Sequence, residues 1–429
     1  MIFKSKQSTL KGTAQVPASK SHTMRAIFLA TMSEGKSVIR NPLFSLDTQS
    51  ALSAAEAFGA KITTEPDVWT IEGRGKHLML PENYIECGNS GSVSAFCSIM
   101  AGLVDGYVFV TGDASIRRRP ISAAVQAIND LGGQAFFTHP ESKACPIIVR
   151  GVMQGGQTRF DGLLSQMISG ILLVAPLLKS DTEIFIDKPL EIPYLQMTLD
   201  WIARHGVQID NLQDFKHFRI TGGQSYRACE TTIAHDWSGV AFPLVAGVVT
   251  ESEVVIDSVD FQDSQGDKAV VDYLIEMGAD ITKDVTGGRI LVRGGKKLSS
   301  GVTLNLANTP DALPALCVAA AYADGETTFT GLAPVRLKET DRVAVMQNEL
   351  GKMGAKMEAG PDHLKVYSGH PLTGTKVESH HDHRIAMAMA ISGFFAQGET
   401  QVNDAECVAV TYPNFFEVME GLGANIERT

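Results

Sequence analysis

Charged and hydroxyl side chains stand where several apolar helices are expected to begin. The stretch "SKSHTMRAIFLATM" places Lys20, Ser21 and Arg25 ahead of an apolar run, with Ser19 or Ser21 as the N-cap. The stretches "GNSGSVSAFCSIM", "LLSQMISGILL" and "NTPDALPALCVAAA" repeat this arrangement. The first turn of a helix exposes unpaired N–H groups and the positive end of the helix dipole, so such positions favour anionic ligands.

Three further motifs add cations. They are "SIRRRPI", "RLKETDR" and "HDHR", which contain Arg119, Arg342 and Arg384. Arginine presents a planar fork that binds carboxylate or phosphate with two hydrogen bonds. In "KETDR" the spacing of Lys338 and Arg342 puts both on one face if the segment is helical, and a surface ion-pair lattice is the alternative interpretation. Together these motifs favour a site for small anions.

A metal site is the other chemistry that the sequence suggests, because "ESHHDHR" holds His380, His381 and His383. The last two flank Asp382 at a spacing of two, and no second cluster of ligands matches them elsewhere in the chain. We therefore predict no metal at this motif.

Composition excludes several other classes of function. The net charge of −11 argues against nucleic acid as a partner, although a local cluster of cations can exist in an acidic chain. No long apolar run or secretory leader is evident, so we expect no membrane span. The six cysteines are scattered and include no CxxC pair, as is typical of buried, reduced thiols in a cytoplasmic protein.

An internal repeat organises the chain. Each copy is an amphipathic helix that ends at glycine and is followed by strand-like residues, and the intervals between these glycines are 73, 74, 72, 76 and 69 residues. The glycines are Gly59, Gly132, Gly206, Gly278, Gly354 and Gly423. Apolar, alanine-rich runs such as "ISGILLVAPLL" predict a second, buried helix in the repeat. Six α/β repeats in 429 residues predict two domains of three repeats, with a boundary near residue 233.

The motifs together resemble the enolpyruvyl transferase family, and within it the 5-enolpyruvylshikimate-3-phosphate synthases. The resemblance covers nearly the whole chain and lies in "ASKSHTMRA", "GNSGS", "GDASIRRRPI", "LSQ", "HDWSGVAFPL", "PDALPAL", "RLKETDR", "HDHRIAMAMA" and "YPNFFEVMEGLGA". It implies an α/β (α+β) fold, a two-domain inside-out α/β barrel in which each domain has three βαβαββ repeats. The implied domains are residues 16–233, on the acceptor side, and residues 1–15 with 234–429, which supply the proton-transfer and carboxylate-binding groups.

The resemblance also implies a reaction that uses no cofactor and no metal. The 5-hydroxyl of shikimate 3-phosphate adds to C2 of phosphoenolpyruvate while C3 takes a proton, and the tetrahedral intermediate then loses phosphate. We expect these small molecules as the partners of a cytoplasmic monomer. The implied active site lies in the cleft between the domains, and closure of the domains on both substrates would assemble it; solution scattering with and without substrates tests this expectation.

The resemblance implies roles for individual residues of this chain. For phosphoenolpyruvate, the resemblance implies phosphate contacts from Lys20, Gly91, Arg119 and Gln166 and carboxylate contacts from Arg342 and Arg384. For the acceptor, it implies Lys20, Ser21, Arg25, Ser165, Gln166, Tyr194, Asp311 and Lys338. For catalysis, it implies Lys20, Asp311, Glu339 and His383, with Asp311 as a candidate base and Glu339 as the proton donor or acceptor at C3.

Five positions depart from the family pattern. Ala95, Pro334 and Val410 stand where arginine, asparagine and lysine are frequent, and the first and last could weaken the binding of glyphosate-like inhibitors. Leu164 and Glu191 replace two serines that commonly hold the acceptor phosphate, and an exposed glutamate there would repel a phosphate dianion.

These departures leave alternatives open. Other groups, such as Lys188, Ser165 and Lys338, could bind the phosphate, or the chain could act on a different, unphosphorylated cyclitol-like acceptor. A transferase for UDP-sugars fits less well, because Ser21 stands where that family has asparagine. A non-catalytic anion-binding protein is the remote alternative.

Overall fold

The computed structural model describes residues 1–299 and 301–429. They form two compact units. The central unit is Ala18–Ile233, and the terminal unit joins Met1–Pro17 to Ala234–Thr429. The resemblance implied boundaries after residues 15 and 233, and the units divide after Pro17 and Ile233.

The chain begins with two strands of the terminal unit, β1 (Phe3–Lys6) and β2 (Lys11–Gln15), and then enters the central unit. The helices there are α1 (Lys20–Thr31), α2 (Leu46–Ala57), α3 (Gly91–Met100), α4 (Ser122–Asp130), α5 (Ser165–Val174) and α6 (Ile192–Arg204). The strands are β3 (Ser33–Arg40), β4 (Lys61–Glu65), β5 (Val68–Arg74), β6 (Ile85–Glu86), β7 (Tyr107–Thr111), β8 (Gln134–Phe137), β9 (Ile147–Arg150), β10 (Gly156–Phe160), β11 (Thr182–Ile186), β12 (Asp210–Leu212), β13 (His217–Ile220), β14 (Tyr226–Arg227) and β15 (Glu230–Thr232).

The rest of the chain completes the terminal unit. Its helices are α7 (Trp237–Val249), α8 (Ala269–Glu276), α9 (Leu313–Tyr322), α10 (Arg342–Lys352), α11 (His383–Ser392) and α12 (Phe415–Gly421). Its remaining strands are β16 (Glu253–Asp257), β17 (Asp280–Asp284), β18 (Arg289–Arg293), β19 (Val302–Asn305), β20 (Glu326–Thr330), β21 (Lys356–Ala359), β22 (His363–Tyr367), β23 (Lys376–Glu378), β24 (Glu399–Asn403) and β25 (Ile426–Arg428).

Within the described residues, each unit holds three small sheets of one design. In the order β10-β11-β13-β12, for example, β10 and β11 are parallel, and β13 is antiparallel to both β11 and β12. The sheet β19-β20-β22-β21 of the terminal unit has the same pattern. A helix links the parallel strands, a second helix follows, and an antiparallel pair closes the repeat, which is the expected βαβαββ order.

Two kinds of helix alternate in these repeats. In the terminal unit α7, α9 and α11 are apolar on almost every side, pack on one another and are covered by the sheets. The intervening α8, α10 and α12 bury one face only. The central unit repeats this arrangement with α1, α3 and α5 buried. Placing helices inside and sheets outside confirms the prediction of buried, alanine-rich helices.

The six repeat glycines all adopt left-handed backbone conformations, with φ between 84° and 103°. Gly59, for example, follows the C-terminus of α2 and precedes β4. Glycine reaches this conformation without the steric cost of a Cβ atom, so it ends the helix and turns the chain into the next strand. The predicted role of these glycines is confirmed.

The cysteines match the prediction of buried thiols in most cases. All six cysteines are free; Cys87, Cys97, Cys145 and Cys317 are buried, and the other two are partly buried. Burial raises the pKa of the Cys317 thiol, so it stays protonated. Among the described residues, no helix combines the length and the apolar content that a membrane crossing needs.

Candidate functional site

The first candidate residues lie at the N-terminus of α1, in the central unit. Ser19 is the N-cap, and its side chain accepts a hydrogen bond from the His22 N–H at 3.4 Å. Lys20 is the first residue of the helix, and its Nζ lies 3.1 Å from Oδ2 of Asp47. Asp47 is buried at the start of α2. The ion pair therefore holds the lysine amine at the positive end of the α1 dipole.

Arg25 lies one turn further along α1 and is buried. Its Nε donates to Oγ1 of Thr198 at 2.9 Å, and its Nη2 donates to the carbonyl of Tyr194 at 3.0 Å and to Oγ of Ser169 at 3.3 Å. Its Nη1 donates to the carbonyl of Ser21 at 3.0 Å. These partners are neutral, and no described carboxylate lies within ion-pair distance of Arg25.

Arg25 is a buried cation whose hydrogen-bond partners are neutral. Burial lowers the pKa of Arg25 to about 10, so the side chain still carries a positive charge at neutral pH. A desolvated charge is costly unless an opposite charge compensates for it. The position therefore favours an anionic ligand. Tyr194 and Ser21, which the resemblance placed on the acceptor, both direct backbone carbonyls at Arg25.

Gly91, Arg119 and Gln166 come together at the N-terminus of α3. A Cβ atom added at Gly91 would lie 3.0 Å from Nη1 of Arg119 and 3.4 Å from Nε2 of Gln166. The Nη2 of Arg119 donates to Oδ1 of Asn89 at 2.9 Å, and Asn89 in turn donates to Asp113 at 2.6 Å. The side-chain donors of Arg119 and Gln166 therefore lie beside Gly91, the first residue of α3. Because glycine has no side chain, nothing at this position blocks a phosphate from the donors and the helix N-terminus.

The structure corrects the expectation that Glu191 is exposed. Its side chain is fully buried rather than exposed. Its Oε2 accepts hydrogen bonds from the backbone N–H of Ser165 at 3.0 Å and from the Ser165 hydroxyl at 2.7 Å, and its own backbone is left-handed, with φ of 53°. Leu164, at the N-cap position of α5, makes no capping bond with its side chain. Glu191 therefore caps α5, and Ser165, which the sequence assigned to the acceptor, uses its hydroxyl to bind this carboxylate.

In the terminal unit, the buried Arg342 binds three carboxylates. Its Nε donates to Oδ2 of Asp382 at 2.8 Å and its Nη2 to Oδ1 of the same residue at 3.2 Å. Its Nη1 donates to Oδ1 of Asp311 at 2.7 Å, and its Nη2 donates to Oε2 of Glu339 at 2.5 Å. Burial alone would lower the pKa of Arg342, but these carboxylates raise it above its ordinary value.

Asp311 bridges Arg342 and Arg384. Its Oδ2 lies 3.0 Å from Nη2 of Arg384, which also donates to Oγ of Ser238 at 2.8 Å. Burial acts to raise the pKa of Asp311, and the two arginines more than offset this effect and hold it well below its usual range. Asp311 is therefore ionised at neutral pH as long as both arginines face it.

The "KETDR" segment differs from its sequence interpretation. A 3₁₀ turn ends at Leu337 and α10 begins at Arg342, so Lys338 and Arg342 do not share a helical face. The reason is Asp341, which caps α10 by accepting a hydrogen bond from the Ala344 N–H at 3.1 Å. The surface ion-pair alternative is also wrong, because Arg342 is fully buried.

The "HDHR" segment forms the start of α11. Asp382 is the N-cap, and its Oδ1 accepts a hydrogen bond from the Arg384 N–H at 2.9 Å. His383 is the first helical residue and is buried. His380 lies 2.8 Å from Glu349, and His381 is largely exposed. In the part of the chain that the structure describes, no cluster of three or more histidine, cysteine or acidic residues could hold a metal.

Comparisons with known proteins identify the family of the chain. The family model described as EPSP synthase (3-phosphoshikimate 1-carboxyvinyltransferase) matches residues 4–419. The chain belongs to this family. Enzymes named 3-phosphoshikimate 1-carboxyvinyltransferase from Ruminiclostridium cellulolyticum and Acetivibrio thermocellus are 43% and 41% identical to it, over 100% and 99% of both chains. A solved EPSP synthase from Acinetobacter baumannii covers 99% of both chains with a TM-score of 0.82 and 28% identity. The predicted fold class is thereby confirmed.

The remaining departures from the family pattern lie at buried positions. Ala95 packs in the core of the central unit on α3. Pro334 is buried at the start of a 3₁₀ turn, and Val410 is buried at the end of another. Each is a small or apolar side chain that the surrounding residues cover.

The sequence indicated no role for several residues that position the candidate side chains. Asp382 could have been found, since an aspartate before an apolar helix is a typical N-cap signal. The motif "HDWSG" contains Ser238, but its spacing does not indicate a contact with Arg384. Asp47, Thr198 and Glu349 carry no local signal, because their contacts with Lys20, Arg25 and His380 depend on how helices pack.

Proposed function

We propose that the protein transfers the enolpyruvyl group of phosphoenolpyruvate to the 5-hydroxyl of shikimate 3-phosphate and releases phosphate. The observation that carries the proposal is the bridge of Asp311 between two buried arginines, in a chain of the EPSP synthase family. We further propose that it works in the cytoplasm as a monomer, without metal or nucleic acid; its free thiols fit a reducing compartment.

The terminal unit would bind the carboxylate of phosphoenolpyruvate. Arg342 and Arg384 are held in place by Asp382 and Ser238, and both face Asp311. An incoming carboxylate would share these arginines with Asp311. The pKa of Asp311 would then rise towards its ordinary value, and the carboxylate would become a stronger base for the acceptor hydroxyl.

The central unit would bind the phosphate and the acceptor. Arg119, Gln166 and the backbone at Gly91 converge on one position, which suits the phosphate group that leaves. Lys20 would stabilise the charge on that group as the bond to C2 breaks. Arg25, with its neutral partners, would bind the carboxylate of the acceptor.

The proton at C3 requires a separate group. In the addition step, the acceptor oxygen bonds to C2, its proton passes to a base, and C3 gains a proton; in the elimination step, C3 loses a proton and the phosphate leaves. Glu339 is held by Arg342, and we propose it for the transfer at C3, with His383 and Lys338 assisting. Arg342 thus links the carboxylate site to the proton donor.

The direct test is phosphate release from phosphoenolpyruvate, measured with shikimate 3-phosphate and with shikimate. We expect turnover with the phosphorylated acceptor only. Turnover with shikimate alone would show that Leu164 and Glu191 mark a different acceptor. No release with either would contradict enolpyruvyl transfer.

Arg25→Ala should raise the KM of the acceptor by about 10- to 100-fold, the range for a lost hydrogen bond to a charged group. The KM of phosphoenolpyruvate should change much less, because Arg25 belongs to the proposed acceptor site. Steady-state kinetics with each substrate varied in turn measures both constants. Arg25→Lys is the matched control: it keeps the charge and should fall between the wild type and the alanine variant. Equal increases in both KM values would contradict this role.

A further inference from the structure

The segment between β23 and α11 has a backbone that needs support. His380 and His381 are consecutive residues with left-handed backbones, at φ of 53° and 58°. For residues other than glycine, this conformation costs about 1 kcal/mol or more each, and it persists only where neighbouring contacts impose it. Asp382 follows directly and Arg384 two residues later, so the segment sets where the proposed carboxylate site lies.

Glu349, on α10, contacts this segment from a fully buried position. Its Oε1 lies 2.8 Å from Nε2 of His380, and its Oε2 accepts a hydrogen bond from the Glu378 N–H at 3.0 Å. Lys352 donates to both carboxylate oxygens at 2.9 and 2.7 Å. Burial acts to raise the pKa of Glu349, but these donors lower it, so the side chain is a carboxylate with its acceptors occupied.

The same helix contacts the segment at a second point. Arg342, the first residue of α10, binds Asp382 through two nitrogens. Glu349 lies seven residues later, two helical turns and about 10 Å along the axis, on the same side of the helix. One rigid helix therefore fixes both ends of the segment from Glu378 to Asp382.

We propose that Glu349 is a positioning residue for enolpyruvyl transfer: it holds His380 and the backbone of Glu378 so that Asp382, Arg342 and Arg384 keep the geometry that binds the carboxylate of phosphoenolpyruvate. This inference rests on the proposed function. Glu349 contacts neither substrate itself in this proposal. Its loss should weaken the binding of phosphoenolpyruvate and leave the proposed acceptor contact of Arg25, in the central unit, unchanged.

Glu349→Gln tests this with little change in volume. A glutamine presents one acceptor oxygen and one NH₂ nitrogen that can only donate, so this nitrogen must face at least one of the donors that Glu349 binds. We expect the KM of phosphoenolpyruvate to rise about tenfold, which is the loss expected for a disrupted charged hydrogen bond. The KM of the acceptor should stay within about twofold of the wild type. Glu358→Gln, on β21 with an exposed side chain, is the matched control and should behave like the wild type.

His380 supplies a rescue experiment. His380→Gln keeps a side-chain N–H that can donate to Glu349, whereas His380→Ala removes it. We expect the alanine variant to match Glu349→Gln and the glutamine variant to stay close to the wild type. Amide hydrogen exchange should show faster exchange at residues 379–384 in the impaired variants and unchanged rates in the central unit.

The outcomes separate this proposal from the proposed function. Amide hydrogen exchange can be measured without turnover. If the protein had no transferase activity, the proposed function would be refuted, and hydrogen exchange would still test whether Glu349 holds the segment. Unchanged exchange at residues 379–384 in Glu349→Gln would overturn the proposal. So would equal increases in both KM values together with a lower melting temperature, because that pattern indicates general destabilisation.

Discussion

Asp311→Asn is expected to lower kcat by about 10²- to 10⁴-fold, the range that a positioned general base contributes. The KM of phosphoenolpyruvate should stay the same or fall. Asp311 competes with the substrate carboxylate for Arg342 and Arg384, and asparagine carries no charge with which to compete. Steady-state kinetics with phosphoenolpyruvate varied at saturating acceptor separates these two effects.

The control for this variant is Asp362→Asn. Asp362 accepts a hydrogen bond from the Ala333 N–H at 2.9 Å in an exposed loop of the same unit, so its kinetics should match those of the wild type. A tenfold rise in the KM of phosphoenolpyruvate with kcat unchanged in Asp311→Asn would show that Asp311 binds substrate rather than accepting a proton.

The same variant has a consequence for stability at acidic pH. Because the arginines depress the pKa of Asp311 in the folded protein, its carboxylate stabilises the fold above the unfolded pKa of about 4, and this contribution is lost as pH falls below that value. Asp311→Asn should therefore lose less stability than the wild type on acidification below about pH 4. Denaturant titrations at several pH values measure the difference, and parallel pH curves would contradict the assignment.

The repeat architecture could be predicted because it follows local rules. A glycine after each amphipathic helix, a strand after each glycine and an apolar helix in between are all visible within about 70 residues of sequence. The structure keeps every one of these glycines in the left-handed conformation. The pairing of β1 with β24 and β25 involves residues at opposite ends of the chain, and no local signal indicates it.

The candidate site was predicted less completely, for a physical reason. Family motifs point to Arg25, Arg342 and Arg384, but most partners of these arginines come from distant parts of the chain. Glu191 shows the same limit: its sequence position suggested repulsion of a phosphate, whereas its buried carboxylate caps a helix that begins at Ser165. A side chain's role depends on which backbone groups packing brings to it, and the spacing of residues does not encode that.

Among the substitutions proposed for this protein, removal of Arg342 should cause the largest loss of stability. This arginine is fully buried and pairs with Asp311, Glu339 and Asp382. Arg342→Met would leave these carboxylates without their shared cation, and breaking a buried pair from one side costs about 3–5 kcal/mol. We expect a loss of unfolding free energy in that range, measured by urea denaturation at pH 7, and no measurable transfer activity.

Arg342→Lys distinguishes charge from geometry at the same position. Lysine keeps the positive charge but cannot donate to Asp382 with two nitrogens while it also reaches Asp311 and Glu339. We expect it to recover most of the stability lost in Arg342→Met, while the KM of phosphoenolpyruvate stays at least tenfold above that of the wild type. Arg289→Lys is the matched control, since Arg289 is exposed and binds Asp257 through its Nε at 2.7 Å. If Arg342→Lys bound phosphoenolpyruvate as the wild type does, charge alone would suffice and the two-nitrogen contact with Asp382 would have no part in recognition.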